Sequence, residues 1–265
     1  MTKTIIFGNQ KGGVAKTTST YNVATQLALK GYRVLMVDSD PQASLTIICG
    51  KVPEEYLGRN LAALLYDQEG KVDIHDCIIS MDNILPKTAE GTLSLIPCEI
   101  EMSGGDLDFV SRPKNSELLS MVLKRVKDEY DFICIDCLPS LGMISINDIS
   151  ASDYIIGCVE PTYQAYRGVN YYAQTVDRLI KLYDFDTKFL GIIITKTTHS
   201  NDSKDLTELL HSEHKVFGVV PSSVEVTKGE VDGIPVSTRK PSHIGSLAYS
   251  NATEKILDEI ARGDD

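Results

Sequence analysis

No stretch of this chain is apolar for the roughly 18 residues that a bilayer-crossing helix needs, which excludes a membrane-spanning segment. Positive charge is also scarce. Twenty-six Lys and Arg face 37 Asp and Glu, giving a formal net charge of −11 over 265 residues. A strongly basic nucleic-acid protein is thereby excluded, and any DNA contact needs a local basic patch working against a repulsive global field. The six cysteines are scattered, with one formal C-x-x-C spacing at Cys134 and Cys137. Residues three apart on a strand point to opposite faces, so these two read as small buried hydrophobes rather than as a redox or zinc pair. Linkers, repeats and low-complexity segments are lacking, so one domain is expected over residues 1–265. Met1-Thr2-Lys3 leads directly into an apolar strand, so no signal peptide and a cytoplasmic location are expected.

What is present is a rhythm. Short β-branched runs at 4–7, 33–38, 93–97, 132–136, 154–159, 189–195 and 216–220 alternate with helical patterns near 17–30, 58–66, 115–129, 165–183, 202–213 and 243–262. Several runs are apolar at successive positions, as strands are when helices cover both faces. The predicted fold is α/β: a doubly wound, mostly parallel sheet flanked by helices. The periodicity is weakest over 50–92.

Residues 8–18 read Gly-Asn-Gln-Lys-Gly-Gly-Val-Ala-Lys-Thr-Thr, between an apolar run and a helical pattern. That context suits a phosphate cradle, because loop amides and the helix N-terminus face the anion. The strict pattern G-x-x-x-x-G-K-[ST] fails, since Gln10 and Ala15 stand at its glycine positions. The deviant form K-G-G-x-x-K-[ST] fits. Lys16 is placed to meet the β- and γ-phosphates and Thr17 to hold Mg²⁺. One loop has no need of two ammonium groups on the same phosphates, which leaves Lys11 free to reach a phosphate bound by a second copy.

Two strand ends carry acids. Val34-Leu-Met-Val-Asp38-Ser-Asp40-Pro41 brings Asp38 and Asp40 to the carboxyl edge of a strand, where open α/β sheets gather ligands. An Asx turn before Pro41 is the structural alternative for Asp40. Asp136 ends Phe132-Ile-Cys-Ile-Asp136, the position from which P-loop proteins support Mg²⁺.

The deviant loop, VDSDPQAS at 37–44 and IDCLPSLG at 135–142 together resemble the ParA/MinD ATPases, most closely their Soj-like ParA branch. SDYIIGCVEP at 152–161, YQAYRGV at 163–169 and GIIITK at 191–196 extend the likeness across residues 3–262. The resemblance implies a homodimer that sandwiches two ATP molecules, Lys11 of each subunit contacting the other's phosphates. By position, Lys11, Gly12, Gly13, Val14, Ala15, Lys16, Thr17 and Thr18 bind the phosphates, with Thr18 on the α-phosphate. Asp40 places the attacking water and is grouped with Thr17 and Asp136 at the metal. Thr195, Lys196 and Pro221 fall where the family cups adenine. A cation supplied in trans acts as an arginine-finger equivalent, so assembly gates hydrolysis. Weak intrinsic ATPase activity, a stimulating ParB-like partner and non-specific DNA binding, with association to the nucleoid, are the implied behaviour of such a partition protein.

The chain departs from the family pattern in three places. Leu138 replaces a proline of DCPPSLG, and Thr162 replaces an acidic residue in the stretch after the strand at 154–159. The arginines that Soj-like proteins use on DNA are absent: Ser200 and Pro221-Ser-Ser-Val-Glu-Val-Thr-Lys228 stand at those places. Lys196, Lys204, Lys215, Lys228, Arg239 and Lys240 are the candidates for a replacement patch. An adaptor that positions a protein cargo without DNA is the alternative. A MinD-like membrane role needs a basic amphipathic C-terminal helix, whereas residues 252–265 are net acidic, so no membrane partner is expected. A tyrosine autokinase would need a Tyr-rich tail, and an iron–sulfur reductase would need glycine-framed cysteines paired across a dimer axis.

Overall fold

The computed structural model describes residues 1–263. In chain order its strands are β1 (Lys3–Gly8), β2 (Arg33–Asp38), β3 (Ile79–Ser80), β4 (Thr92–Ile96), β5 (Phe132–Asp136), β6 (Tyr154–Val159), β7 (Lys188–Thr197) and β8 (Val216–Pro221). The helices are α1 (Lys16–Leu29), α2 (Ser44–Ile48), α3 (Leu61–Tyr66), α4 (Gly105–Asp108), α5 (Leu118–Leu123), α6 (Met143–Ala151), α7 (Tyr163–Tyr183), α8 (Asn201–Glu213), α9 (Val224–Asp232), α10 (Val236–Arg239) and α11 (Ile244–Gly263). The strands form one sheet in the order β3-β4-β2-β5-β1-β6-β7-β8. Every pairing is parallel except the short β3–β4 contact at the edge.

Burial explains the apolar runs. Ile5 and Phe7 of β1 join α1 and α11 in one core, while Ile6 turns to the opposite face and packs with α3, α5 and α6. All three are fully buried, each contributing roughly 1.5–3 kcal/mol relative to exposure. A strand buried on both faces has no polar position to alternate with. Cys134 and Cys137 divide between these two cores, as their spacing predicts, and all six cysteines are free and buried.

Register sets the site. β1 and β2 both flank β5, and Phe7 and Asp38 are each aligned with Asp136. The carboxyl ends of three neighbouring strands therefore meet where the loop leaves β1 at Gly8.

The structure differs from the sequence reading in identifiable places. β3 is only two residues long, below the length at which a pattern registers. The helix expected over 115–129 is α5 alone, followed by a 3₁₀ turn at Lys127–Glu129. The one expected over 58–66 begins at Leu61, where Asn60 Oδ1 accepts the Ala63 N–H at 2.8 Å as an N-cap. Helix α6 had no local signal. Its N-cap position is Gly142, and the free Ile144 N–H is instead satisfied by Asp106 Oδ1 at 2.9 Å. Helices α2, α4, α9 and α10 are likewise additions.

Candidate functional site

Between β1 and α1 the chain folds into a nest. Gly13 has φ 76° and Ala15 φ 61° with ψ 35°, so the left-handed region is used twice within three residues. A non-glycine residue there is strained, and such strain gathers at ligand-holding loops. The turn aligns successive backbone N–H groups with the N-terminus of α1, an arrangement that attracts anions. Neighbouring segments brace it. Asn9 Nδ2 donates to Cys158 O at 2.7 Å, while its Oδ1 accepts the Lys11 N–H at 3.0 Å.

A cavity of about 440 Å³ opens beside this loop, lined by Gly13 and Ala15 to Thr18 together with Pro221, Ser222 and Val226. Thr195 and Lys196 line it too, although both side chains are engaged with the loop itself. The Thr195 hydroxyl donates to Val14 O at 3.0 Å and Lys196 Nζ to Gly13 O at 2.7 Å. Lys196 does so from φ 54°, a second strained residue at the same cavity beside Ala15. Pro221, which also lines the cavity, ends β8.

The two lysines separate. Lys16 is buried at the cavity floor. Lys11 is not part of the cavity wall; its Nζ donates to Thr162 Oγ1 at 3.3 Å, at the N-cap of α7. Thr18 does not stand ready for a ligand either, because its hydroxyl donates to Glu230 of α9.

Three buried carboxyls lie behind the loop. Asp38 Oδ2 accepts both the amide and the hydroxyl of Thr46, each at 2.7 Å. Burial nonetheless pushes Asp38 up to about 7. Asp136 is 1 % exposed, and neither of its oxygens has a hydrogen-bond partner. Burial, and then the charge of Asp38, hold it well above the usual carboxylate range, with Thr17 and Lys16 pulling the other way. Asp148 of α6 accepts the Ser39 hydroxyl at 2.7 Å on one oxygen and leaves the other unpartnered. It too is raised well above the usual range by burial. Asp40 adopts the Asx turn: its Oδ1 accepts the Gln42 N–H at 2.9 Å. Asp148 and Glu230 were invisible to the sequence reading, since neither follows a strand or belongs to a motif.

An unpaired carboxylate in so dry a place is costly. A divalent cation between Asp136 and the Thr17 hydroxyl removes that cost, so the residues present fit Mg²⁺. Oxygen donors are the ligand type that this ion prefers.

The candidate DNA patch is not free. Lys228, Arg239 and Lys240 all pair with Glu225, and Arg239 also with Asp232 at 3.0 Å. These cations, Lys240 first, depress Glu225 to about 2. Lys215 pairs with Glu259. Of the six candidates, Lys204 is the one with neither an ion pair nor a loop contact among the described residues. The C-terminal helix turns one apolar face inward: Tyr249, Ala252, Ile256 and Ile260 are buried in the core, so that face is not available to a lipid surface. Among the described residues no helix is long and apolar enough to cross a membrane.

Known proteins resemble this chain in sequence and in fold. The family model AAA_31, an AAA domain, matches residues 2–189. The chromosome-partitioning ATPase Soj of Treponema pallidum is 32 % identical, over 97 % of this chain and 98 % of that protein. A putative plasmid partition protein from Borrelia burgdorferi, solved bound to AMPPNP, superposes with a TM-score of 0.82 at 25 % identity, covering 98 % of this chain and 100 % of that one. Cobyrinic acid a,c-diamide synthase from Mycobacterium smegmatis, solved with an ATP analogue and magnesium, gives a TM-score of 0.80 at 25 % identity, over 99 % and 97 % of the two chains. The chain belongs to the ParA/MinD family of P-loop ATPases, close to the Soj-like partition proteins.

Proposed function

We propose that this chain is a ParA-type positioning ATPase, one catalytic unit over its whole length, that dimerises on ATP and uses slow, partner-stimulated hydrolysis to place a cargo. Lys16 and the amides of Gly12 to Thr18 hold the phosphates. Thr17 binds Mg²⁺ directly and Asp136 supports it, supplying charge neutralisation at the β- and γ-phosphates. Asp40 leaves its turn to orient the attacking water. Thr195 and Lys196 keep the loop in its strained form, and Pro221 bounds the base.

The observation that carries the reading is the position of Lys11. Its ammonium lies off the wall of the loop cavity, on the hydroxyl of Thr162, which lines a neighbouring cavity. That placement supports a role in stabilising transition-state charge in a neighbouring subunit, where the equivalent arginine finger is worth about 10³–10⁵ in rate. Hydrolysis is then gated by assembly, and a ParB-like protein accelerates it by favouring the closed dimer. The experiment is light scattering on the Asp40→Ala variant with and without ATP. The reading expects a dimer with ATP and a monomer without; a monomer in both removes it.

Two kinds of cargo tether are compatible with this engine. Non-specific DNA binding by the ATP dimer is the first, supported by the likeness to Soj. A protein tether without DNA is the second, favoured by the neutralisation of Lys228, Arg239 and Lys240 on Glu225. Phosphate contacts supply nearly all non-specific affinity, so a gel shift at low salt separates them: an ATP-dependent shift selects the first, its absence the second.

A further inference from the structure

We propose that Glu230 reads the sugar of the bound nucleotide, accepting hydrogen bonds from the ribose hydroxyls and so selecting ribonucleotides over deoxyribonucleotides. The inference rests on the ATP site just described. Glu230 is the one carboxylate among the described residues that line the cavity, and it faces Thr18 in the first turns of α1. It shares that cavity with Lys16 of the loop and with Pro221 and Val226, and its contact with Thr18 sets it beside the start of α1.

A carboxylate in that position accepts hydrogen bonds and donates none. Against a polyphosphate it gains no partner and meets like charge. The Thr18 hydroxyl satisfies it in the nucleotide-free chain. When Thr18 turns to the α-phosphate, Glu230 loses that donor and needs another. The group joining phosphates to base is the ribose, which offers two adjacent hydroxyl donors. An acidic side chain on ribose hydroxyls is the solution that dinucleotide-binding folds reach on their own sheets. The exchange is donor for donor, so Glu230 is partnered in both states.

The test is calorimetric binding of Mg-ATP, Mg-2′-deoxy-ATP and Mg-3′-deoxy-ATP to the full chain on the hydrolysis-deficient Asp40→Ala background. Glu230 is left intact or changed to Ala or Gln, and thermal melts confirm folding. Hydrogen bonds to a charged acceptor predict about ten-fold or greater preference for ATP over at least one deoxy form. Glu230→Ala is expected to reduce that preference toward one while leaving deoxy-ATP affinity nearly unchanged, and Glu230→Gln to retain part of it. Equal affinity of the intact chain for all three nucleotides overturns the proposal. So does Glu230→Ala shifting all three by the same factor, which would make Glu230 only a holder of Thr18. Loss of all binding on Lys16→Ala shows that the ATP site itself stands in either case. Failure of every nucleotide to bind the intact chain sinks both readings together.

Discussion

The Lys11 ammonium rests on the Thr162 hydroxyl of its own chain, 3.3 Å away, at the start of α7. Thr162 accepts the Ala165 N–H at the same distance, so one oxygen both caps the helix and parks the lysine. Reaching a second subunit requires that this hydrogen bond to an uncharged hydroxyl be exchanged. Thr162→Asp keeps a capping oxygen and adds an opposite charge beside Lys11. Sedimentation is expected to show ATP-driven dimerisation weakened several-fold in Thr162→Asp and unaltered in Thr162→Ser, since an ammonium is held more strongly by a carboxylate than by a hydroxyl. Equal dimerisation of Thr162→Asp and the parent chain contradicts the parking role.

Lys16→Ala removes the one buried ammonium that lines the cavity among the described residues. Turnover is expected to fall by about 10³ or more, given that phosphoryl transfer is catalysed by positioned charge. Mg-ATP should no longer raise the melting temperature. Residual ATPase activity near the parent level would place catalysis elsewhere.

Asp38, near 7, and Asp136, held well above the usual range, make the nucleotide-free chain less stable as pH rises. The sign follows from proton uptake. Between about pH 4 and 7 the folded state holds protons that the unfolded chain has released, so stability is greatest below that window and declines through it. For Asp38 alone the full shift corresponds to at most about 4 kcal/mol. Mg-nucleotide binding must then release protons. Calorimetry in buffers of differing ionisation heat is expected to register that release near pH 6.5; an unchanged heat across buffers would be inconsistent with protonated carboxyls at the site.

Asp136→Asn leaves the loop intact but removes the unpartnered carboxylate. Mg²⁺ dependence of nucleotide binding is expected to weaken about 10–100-fold, the usual effect of losing an outer-shell metal partner. The nucleotide-free variant should melt higher than the parent at alkaline pH, where the parent's buried carboxyl must ionise and the amide need not. A lower melting temperature would show that Asp136 stabilises the empty fold.

Glu225→Gln releases Lys228, Arg239 and Lys240 from their shared carboxylate. Each cation that then meets a phosphate steepens the salt dependence of DNA binding by about 0.9 in log–log slope. The expected outcome is tighter and more salt-sensitive DNA binding than in the parent, read by fluorescence anisotropy across a salt series. Unchanged affinity and slope would mean that these cations do not face DNA.

Much of this was legible before any coordinates. The strands at 4–7, 33–38, 132–136 and 154–159 were readable because burial on both faces leaves uninterrupted apolar runs. The loop was readable because its chemistry is local: Lys16 and Thr17 lie within one turn of the backbone that they serve. What escaped depends on partners distant in sequence. Helix α6 is capped from Asp106, 38 positions away, and with it Asp148 was missed. Glu230 meets Thr18 across 212 positions. Lysines that looked like a patch proved to be spent on Glu225, which no window of sequence reveals.

The claim on which the account turns is that the lysine of one subunit completes the site of the other. ATPase assays on Lys11→Ala and Asp40→Ala chains, alone and mixed, test it directly. Each variant alone has two broken sites. A mixed dimer has one whole site, with Asp40 from the Lys11→Ala chain and Lys11 donated by its Asp40→Ala neighbour. The account predicts near-zero turnover for each variant and a substantial recovery on mixing. A mixture as inactive as its parts would contradict it.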